Sequence, residues 1–419
     1  MTKQQEELAW RVGGPQGSGV DTAAGIFARA CAIGGLHLFG RREYYSNIMG
    51  RHSYYDVRVA HHVLTCHRET VDLLTSFEEE TIARHTLAVV PGGGIVYNAD
   101  HAEIPLDRIT FLDKRAQRDL ATYLEKRGLP ASTAGLLEDA RQRGVQVYPL
   151  PFRQVTGMLA QELGVSQAVA ERTLNTMAVA VSCALLDYDP TYIIKALERT
   201  FPGRQQIIDM NVRAVQLSYD FVHERFDTQG FAFRLSPEAI SEQRLFVNGS
   251  QAVALGKLAA GATFQTYYPI SPATDESVYL EAHETFPTRN GEEGSILVVQ
   301  TEDELSAVTM AAGAALTGAR SATATSGPGF SLMAEGLGWA GINEVPLVVT
   351  LYQRGGPSTG MPTRTEQGDL KFAVHGGHGE FPRIVIASGD IIEAFYDAAH
   401  AFNYAERYQM PVIHLMDKA

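Results

Sequence analysis

Residues 295–340 read SILVVQTEDELSAVTMAAGAALTGARSATATSGPGFSLMAEGLGWA. Two short strand-like runs, SILVVQ and ATATS, each precede an Ala- and Gly-rich stretch of helical length. Short buried strands that alternate with Ala-rich helices are typical of a parallel sheet covered by helices on both faces. This segment therefore predicts an α/β fold built on a parallel sheet.

The same alternation continues in both directions along the chain. Upstream lie a helical stretch at 248–261 and a strand at 262–270. Downstream lie strands at 346–353, 383–388 and 411–416, with a helix at 390–408 before the last of them. We predict one parallel-sheet α/β domain over residues 244–419.

The first half of the chain predicts a second α/β domain, over residues 8–226. A strand-like LAWRVGG runs into a Gly-rich loop, Gly13 to Gly19, and a helix follows at about 21–32. Further strands are expected at 56–60, 86–93 and 144–150, and helical periodicity dominates 169–226. Residues 227–243 have no clear period, and we interpret them as an interdomain linker.

Composition narrows the class of protein. With 419 residues the chain is long enough for two domains, and its 35 basic and 48 acidic side chains give a net charge of −13. An acidic surface disfavours nucleic acid and anionic membranes as partners. The polar N-terminus and the short apolar run at 177–186 predict a cytoplasmic protein without a membrane span.

The unusual turns of the second domain follow its predicted strands. In open α/β sheets, ligands bind beyond the carboxyl ends of the strands. Four such turns are expected there, at residues 268–272, 300–302, 325–329 and 353–357. We therefore expect a ligand site at this edge of the sheet.

Two charged residues in these turns have both structural and functional interpretations. Glu302, with Asp303 and Glu304, fits the first turn of a helix, where carboxylates are favoured. Alternatively, Glu302 is a buried carboxylate that bonds a cofactor ring nitrogen. Arg354 is either a surface residue of a Gly-Pro loop or a bidentate clamp for a carboxylate.

Several long motifs closely resemble one enzyme family. They are YYPISPATDES (267–277), the stretch 300–340 quoted above and PLVVTLYQRGGPSTGMPTRTEQGDL (346–370). The second domain resembles the α subunit of 2-oxoacid:ferredoxin oxidoreductases, most closely the 2-oxoglutarate branch. The first domain resembles the γ component of that family, fused ahead of the α component, in GGPQGSGV, FGRREYYSNIMGRHSYYDVRV and AVVPGG.

The resemblance implies a thiamine-diphosphate enzyme whose second domain receives the pyrimidine ring. Glu302 matches the glutamate that activates the cofactor, and Arg354 matches the arginine that binds the 1-carboxylate of the substrate. Ser271 stands where the family usually has threonine, so the hydroxyl is kept. The residues expected next to the cofactor are Tyr268, Thr325, Gly327 and Gly329.

The resemblance also implies partners. The diphosphate–metal motif G-D-G is missing, since Gly389-Asp390-Ile391 has the wrong third residue, and three cysteines without a C-x-x-C pair cannot form an iron–sulfur site. We expect no metal in this chain, and a β subunit that holds Mg²⁺ with the diphosphate and carries a 4Fe-4S cluster. Ferredoxin and a second copy of the αβ unit complete the expected assembly. Family members often continue further, so either a short form or part of a longer product is expected.

A coenzyme A site is expected in the first domain. The Gly13–Gly19 loop is not a Walker A motif, and a tight structural turn is an equal alternative. The family's γ component helps to enclose coenzyme A. The residues expected near it are Gly17, Ser18, Asn47 and Arg51.

The predicted reaction is the reversible, coenzyme A-dependent oxidative decarboxylation of 2-oxoglutarate to succinyl-CoA, with ferredoxin as electron carrier. Pyruvate and branched-chain or aryl 2-oxoacids are alternative substrates. Two other classes remain: a non-catalytic assembly or coenzyme A-binding subunit, and a thiamine enzyme that does not use ferredoxin. The intact Glu302 and Arg354 argue against a non-catalytic subunit. The missing diphosphate motif argues against a thiamine enzyme that does not use ferredoxin.

Overall fold

A computed structural model of the chain describes residues 7–44, 51–228, 230–239 and 243–418. It divides into two compact units, Met1–Phe246 and Val247–Ala419. Each unit is an α/β structure around its own sheet.

The first unit is built on a mixed sheet with the strand order β2-β3-β1-β4-β5-β6. The strand β3 pairs antiparallel with both β1 and β2, whereas β1, β4, β5 and β6 are parallel neighbours. The strands are β1 Glu7–Pro15, β2 His37–Glu43, β3 His52–Ala60, β4 Val71–Ser76, β5 Val89–Asn98 and β6 Gln146–Leu150.

Helices cover the two faces of this sheet, with one apolar core on each face. They are α1 Val20–Ile33, α2 Glu79–His85, α3 Lys114–Glu125, α4 Thr133–Gln142, α5 Phe152–Leu163, α6 Gln167–Ala170, α7 Leu174–Leu185, α8 Pro190–Thr200 and α9 Gln205–Arg225. The helix α7 is buried from Thr176 to Leu185, which explains the apolar run noted at 177–186. Within the described residues, no helix combines the length and apolar character that a bilayer crossing requires.

The segment interpreted as a linker belongs to the first unit. In its described part, 227–228, 230–239 and 243, there is no helix or strand, but Phe231, Phe233 and Leu235 are buried in the first core. The amide of Leu235 also donates to Leu186 O at 3.0 Å. The units separate between Phe246 and Val247, a few residues beyond the expected boundary at 243/244.

The second unit contains the parallel sheet predicted from the sequence. Its strand order is β10-β7-β11-β12-β14-β13, and every adjacent pair is parallel. Those strands are β7 Phe264–Tyr267, β10 Leu297–Gln300, β11 Ser321–Ser326, β12 Leu347–Gln353, β13 Ile384–Ala387 and β14 Val412–Asp417. A small hairpin joins β8 Thr285–Pro287 and β9 Glu293–Ser295.

Helices pack on both faces of this sheet, as near-continuous apolar strands require. They are α10 Gly249–Ala259, α11 Thr274–Glu281, α12 Glu304–Leu316, α13 Gly327–Ile342, α14 Leu370–His375 and α15 Ile391–Tyr408. Ala-rich α12 and Gly-rich α13 pack on one face, and α10 and α15 on the other. The predicted α/β fold class is confirmed.

Candidate active site

The turn between β10 and α12 contains three consecutive acidic residues whose side chains lie in different environments. Glu302 is exposed. Asp303 caps α12, because its Oδ1 accepts the amide of Ser306 at 2.7 Å. Glu304 begins the helix and is only 5% exposed. The structure buries Glu304 and leaves Glu302 exposed, so the interpretation as a buried carboxylate fits Glu304, the first residue of α12, and not Glu302.

Glu304 lies against the first turn of α13. A Cβ on Gly329 would overlap both Glu304 Oε1 and Thr325 Oγ1, so the glycine leaves the space that these two side chains fill. Burial raises the pKa of Glu304, Asp303 raises it further, and Arg354 opposes the shift. A buried carboxyl group beside a glycine turn is suited to hydrogen bonding a ligand ring.

Arg354 follows β12 directly and is 5% exposed. Its Nη1 donates to Ser271 O at 2.5 Å and its Nη2 to Thr359 O at 2.8 Å, whereas Nε is buried with no partner among the described residues. Burial lowers the pKa of Arg354, and the carboxylates of Asp369 and Glu304 act to raise it. The guanidinium is therefore held in place by two carbonyl oxygens and still has an N–H that can donate to a ligand. Its burial rules out the interpretation of Arg354 as a surface residue.

A buried network ties the Ser271 turn to the strand that carries Arg354. The hydroxyl of Tyr352 donates to Glu276 Oε2 at 2.9 Å, and Lys257 forms an ion pair with the other oxygen of Glu276. Gln265 Nε2 donates to the same oxygen at 3.2 Å. Lys257, Glu276 and Gln265 are fully buried. The network links α10, β7, α11 and β12, and so holds the two turns in fixed relation.

Sequence reasoning missed Asp369, although it lies within the quoted motif ending in EQGDL. Its carboxylate packs on Gly327: a Cβ there would lie 3.0 Å from Asp369 Oδ2. Its amide donates to Gln353 Oε1 at 3.0 Å, which fixes it to the end of β12. The only signal available in the sequence was an acidic residue in a loop, which is too common to single out.

The other predicted residues of this unit lie at the same edge of the sheet. Thr325 is fully buried, and Gly327 and Gly329 form the first turn of α13. Ser271 contributes its carbonyl oxygen to Arg354, as described above. Tyr268 follows β7 but is 38% exposed and lies at the margin.

The glycine loop of the first unit is a strand-to-helix turn. Gly17 and Gly19 have φ values of +93° and +88°, which side chains other than glycine rarely adopt. The Gln16 amide donates to Arg51 O at 2.7 Å. A Cβ on Gly19 would overlap the side chain of Asn175, so α7 and α1 approach closely here.

A cavity of about 410 Å³ opens beside this loop. Its floor is apolar, with Phe77, Phe152 and Leu174, and its polar lining includes Arg153 and His101. The buried Ser18 Oγ and Asn175 Oδ1, both from lining residues, have no hydrogen-bond partner among the described residues. Buried polar atoms without partners indicate room for a ligand or water.

The four residues expected near coenzyme A have different positions. Ser18 lines the cavity, whereas Gly17 shapes the loop without lining it. Arg51 lies over the ring of Phe111, 5.3 Å from its centroid, and does not line the cavity. Asn47 lies outside the described residues. In the described part of the chain, no group of three His, Cys, Asp or Glu residues is arranged to hold a metal ion.

The second unit is a parallel-sheet α/β domain with a buried carboxyl group and a clamped arginine at the carboxyl edge of its sheet, where open α/β sheets bind ligands. Residues 255–419 match the sequence model described as pyruvate flavodoxin/ferredoxin oxidoreductase, thiamine diphosphate-binding. Residues 9–221 match the model described as pyruvate ferredoxin/flavodoxin oxidoreductase. The chain belongs to the pyruvate ferredoxin/flavodoxin oxidoreductase family.

Similar proteins extend along almost the whole chain. The α subunit of 2-oxoacid:ferredoxin oxidoreductase 1 from Sulfurisphaera tokodaii is 46% identical over 417 residues, 98% of this chain and 65% of its own length. The 2-oxoglutarate oxidoreductase subunit KorA from Mycobacterium tuberculosis is 27% identical over 99% of this chain and 61% of its own length. The chain therefore spans less than two thirds of these relatives.

A solved structure is similar over the same range. It is the 2-oxoglutarate:ferredoxin oxidoreductase from Magnetococcus marinus with 2-oxoglutarate, coenzyme A and succinyl-CoA bound. The TM-score is 0.79 at 30% identity, covering 98% of this chain and 64% of that one.

Proposed function

We propose that this chain activates thiamine diphosphate and binds the substrate in a 2-oxoacid:ferredoxin oxidoreductase, as part of its α subunit. The observation that carries the proposal is the pair Glu304 and Arg354 at the carboxyl edge of the parallel sheet. Both side chains are 5% exposed, and they lie in the unit that matches the thiamine diphosphate-binding model.

The residues of the site suit the pyrimidine end of the cofactor. Gly329 lets the ring approach because any side chain there would overlap Glu304. We expect Glu304 to donate a hydrogen bond to a ring nitrogen when protonated and to accept one when ionised. Bound thiamine diphosphate supplies the carbanion chemistry of decarboxylation, and the protein tunes and orients it. Thr325 and Gly327 would shape the remaining wall.

Arg354 would hold the 1-carboxylate that all 2-oxoacids share. Its guanidinium is already fixed by two carbonyl oxygens, so little conformational entropy is lost when a carboxylate binds. The hydroxyl of Ser271, in the turn that Arg354 contacts, is available for a further hydrogen bond. We propose 2-oxoglutarate as the substrate, supported by the Mycobacterium KorA relative and by the Magnetococcus protein.

The cavity beside the glycine loop is the proposed site for part of coenzyme A. Arg153 provides a positive charge for phosphate and lies 3.7 Å from Asp100 Oδ2, which also lines the cavity with Glu171. Phe77 and Phe152 provide apolar surface. The coenzyme A complex of the Magnetococcus protein supports the presence of such a site in similar chains. A β subunit with the diphosphate, Mg²⁺ and 4Fe-4S sites, ferredoxin and a second αβ unit are the proposed partners.

The test is co-expression of this chain with a β subunit from the same organism. The purified complex should reduce a viologen dye in the presence of coenzyme A and a 2-oxoacid. We expect 2-oxoglutarate to be used with a higher kcat/KM than pyruvate or branched-chain and aryl 2-oxoacids. Turnover of another acid alone would correct the substrate, and a complex that binds coenzyme A but turns over none of them would favour a non-catalytic subunit.

A further inference from the structure

Asp369 does not cap the helix that it precedes, as an aspartate in that position ordinarily does. It immediately precedes α14, yet its side chain makes no capping hydrogen bond, and its backbone is helical, with φ −95° and ψ 0°. Capping residues usually have extended backbone and accept an amide hydrogen bond from the first turn. Asp369 Oδ2 is buried and has no partner among the described residues. Leaving such an oxygen buried costs free energy, so the capping explanation fails.

The position of the carboxyl group is set by its neighbours. The backbone of Asp369 is tied to Gln353, the residue before Arg354, by a 3.0 Å hydrogen bond. Its carboxylate packs on Gly327, where a Cβ would lie 3.0 Å from Oδ2. Two carboxyl groups therefore lie on the two glycines of one turn: Asp369 on Gly327 and Glu304 on Gly329.

The guanidinium of Arg354 interacts electrostatically with both carboxyl groups. The carboxylates of Asp369 and Glu304 both raise the pKa of Arg354, and Asp369 raises it more. Glu366 and Arg354, which directly follows β12, are the charged groups that shift the pKa of Asp369, and on α13 its carboxylate packs on Gly327. Burial raises the pKa of Asp369, Glu366 adds to the rise, and Arg354 opposes it. Among these interacting groups, three carboxyl groups face one guanidinium before any substrate enters.

We propose that Asp369 is a further substrate-binding residue, whose carboxyl group takes up a proton when the carboxylate of a 2-oxoacid binds at Arg354. The inference rests on the proposed function. With Asp369 ionised, the substrate would add another negative charge around one guanidinium, and like charges at close range disfavour each other. Protonation removes the repulsion and turns Oδ2 from an unpaired acceptor into a donor for the bound carboxylate.

The test measures proton uptake directly. The complex with the partner subunit, stripped of thiamine diphosphate, is titrated with 2-oxoglutarate by calorimetry in two buffers of different ionisation enthalpy. Wild type should take up as much as one proton per site, and its affinity should fall by up to about tenfold per pH unit as the pH rises through the window of uptake. Asp369→Asn keeps the shape, and should show no uptake and a flat affinity.

A kinetic measurement and a control complete the design. In the complete complex, KM for the 2-oxoacid should rise with pH in wild type and stay level in Asp369→Asn, with kcat much less affected. Glu380→Gln removes the same charge from an exposed loop and should behave as wild type. Proton uptake by Asp369→Asn equal to that of wild type would overturn the inference.

The wild-type complex also tests the inference without any variant. If it binds or turns over 2-oxoacids with no proton uptake and a pH-independent KM, Asp369 has no such role. If it neither binds nor turns over any 2-oxoacid, the proposed function has failed instead.

Discussion

At the scale of single residues, Glu304 and Glu302 provide a matched pair two positions apart. Glu304→Gln in the assembled complex should lower kcat by about 10²–10⁴-fold, because a positioned acid–base group is removed. Glu302→Gln changes an exposed residue and should alter kcat by no more than about twofold, as surface substitutions do. Steady-state kinetics of both variants decides between them, and a large loss in Glu302→Gln with none in Glu304→Gln would reverse the assignment.

The sequence motif QTEDE could locate this site to within two residues but could not choose the carboxylate. Any of the three acids fits a strand-to-helix turn. The choice depends on where the helix starts, and Asp303 sets that start by capping the amide of Ser306. The direction of a side chain rotates by about 100° per residue at a helix start, so one residue of uncertainty changes which acid is buried. The position of Arg354 at the carboxyl end of β12 was easier to predict, because it depends only on where the apolar strand ends.

At the scale of elements, the N-terminal turn of α13 provides the wall of the site. Gly329→Ala should displace Glu304 or Thr325, because its Cβ has no free space. We expect a strong loss of activity and weaker binding of thiamine diphosphate in the assembled complex, measured by kinetics and cofactor titration.

The matched control for that variant lies on α12. Gly313 is exposed, and a Cβ there meets nothing within 4 Å. Gly313→Ala should keep full activity and stabilise the chain by roughly 0.5–1 kcal/mol through helix propensity. Unchanged activity in Gly329→Ala would show that the turn does not confine Glu304.

A second element-scale feature is a hydrogen-bonded chain in the first unit. Arginine can only donate, so Arg11 Nη1 fixes His85 Nδ1 as an acceptor at 3.1 Å. His85 Nε2–H then donates to His52 Nε2 at 2.8 Å, and His52 Nδ1–H donates to Glu78 Oε1 at 3.1 Å. Burial, followed by His52 and Arg11, lowers the pKa of His85, which agrees with a neutral ring.

The hydrogen-bonded series from Arg11 to Glu78 predicts that the free energy of unfolding depends on pH. Burial, with Glu80 and Glu79, raises the pKa of Glu78 from 4.5 to about 8. Between pH 4.5 and about pH 8, Glu78 holds a proton in the folded state that it has lost in the unfolded state. The free energy of unfolding therefore falls as the pH rises through this window. Glu78→Gln keeps the acceptor and should remove that contribution, gaining stability relative to wild type as pH rises.

Denaturant unfolding of wild type, Glu78→Gln and Glu69→Gln across that pH window measures the effect. Glu69 is 84% exposed and should track wild type at every pH. A constant difference between Glu78→Gln and wild type would mean that Glu78 has an ordinary pKa in the fold.

At the scale of the whole molecule, the two halves were not equally predictable. The parallel sheet of the second unit follows from its apolar strands, each marked by turns. The first unit has a mixed sheet, and nothing in the sequence indicated that β3 runs antiparallel between β1 and β2. The described part of the segment 227–243 contains no helix or strand, yet Phe231 and Phe233 anchor it to the first core, which pattern analysis cannot detect.

The last prediction concerns this 419-residue chain purified without a partner. A [4Fe–4S] cluster is held by four cysteine thiolates. The chain has three cysteines; Cys31 and Cys183 are fully buried, and burial raises the pKa of both thiols. Only Cys66 is exposed, and the sequence contains no G-D-G motif for the diphosphate.

The purified chain should therefore be colourless and should not reduce dye with any 2-oxoacid, whereas adding the β subunit should restore turnover. Circular dichroism and a cooperative unfolding transition serve as the control that the isolated chain is folded. A brown preparation that is active with no second polypeptide would show that the proposed division of the site between two subunits is wrong.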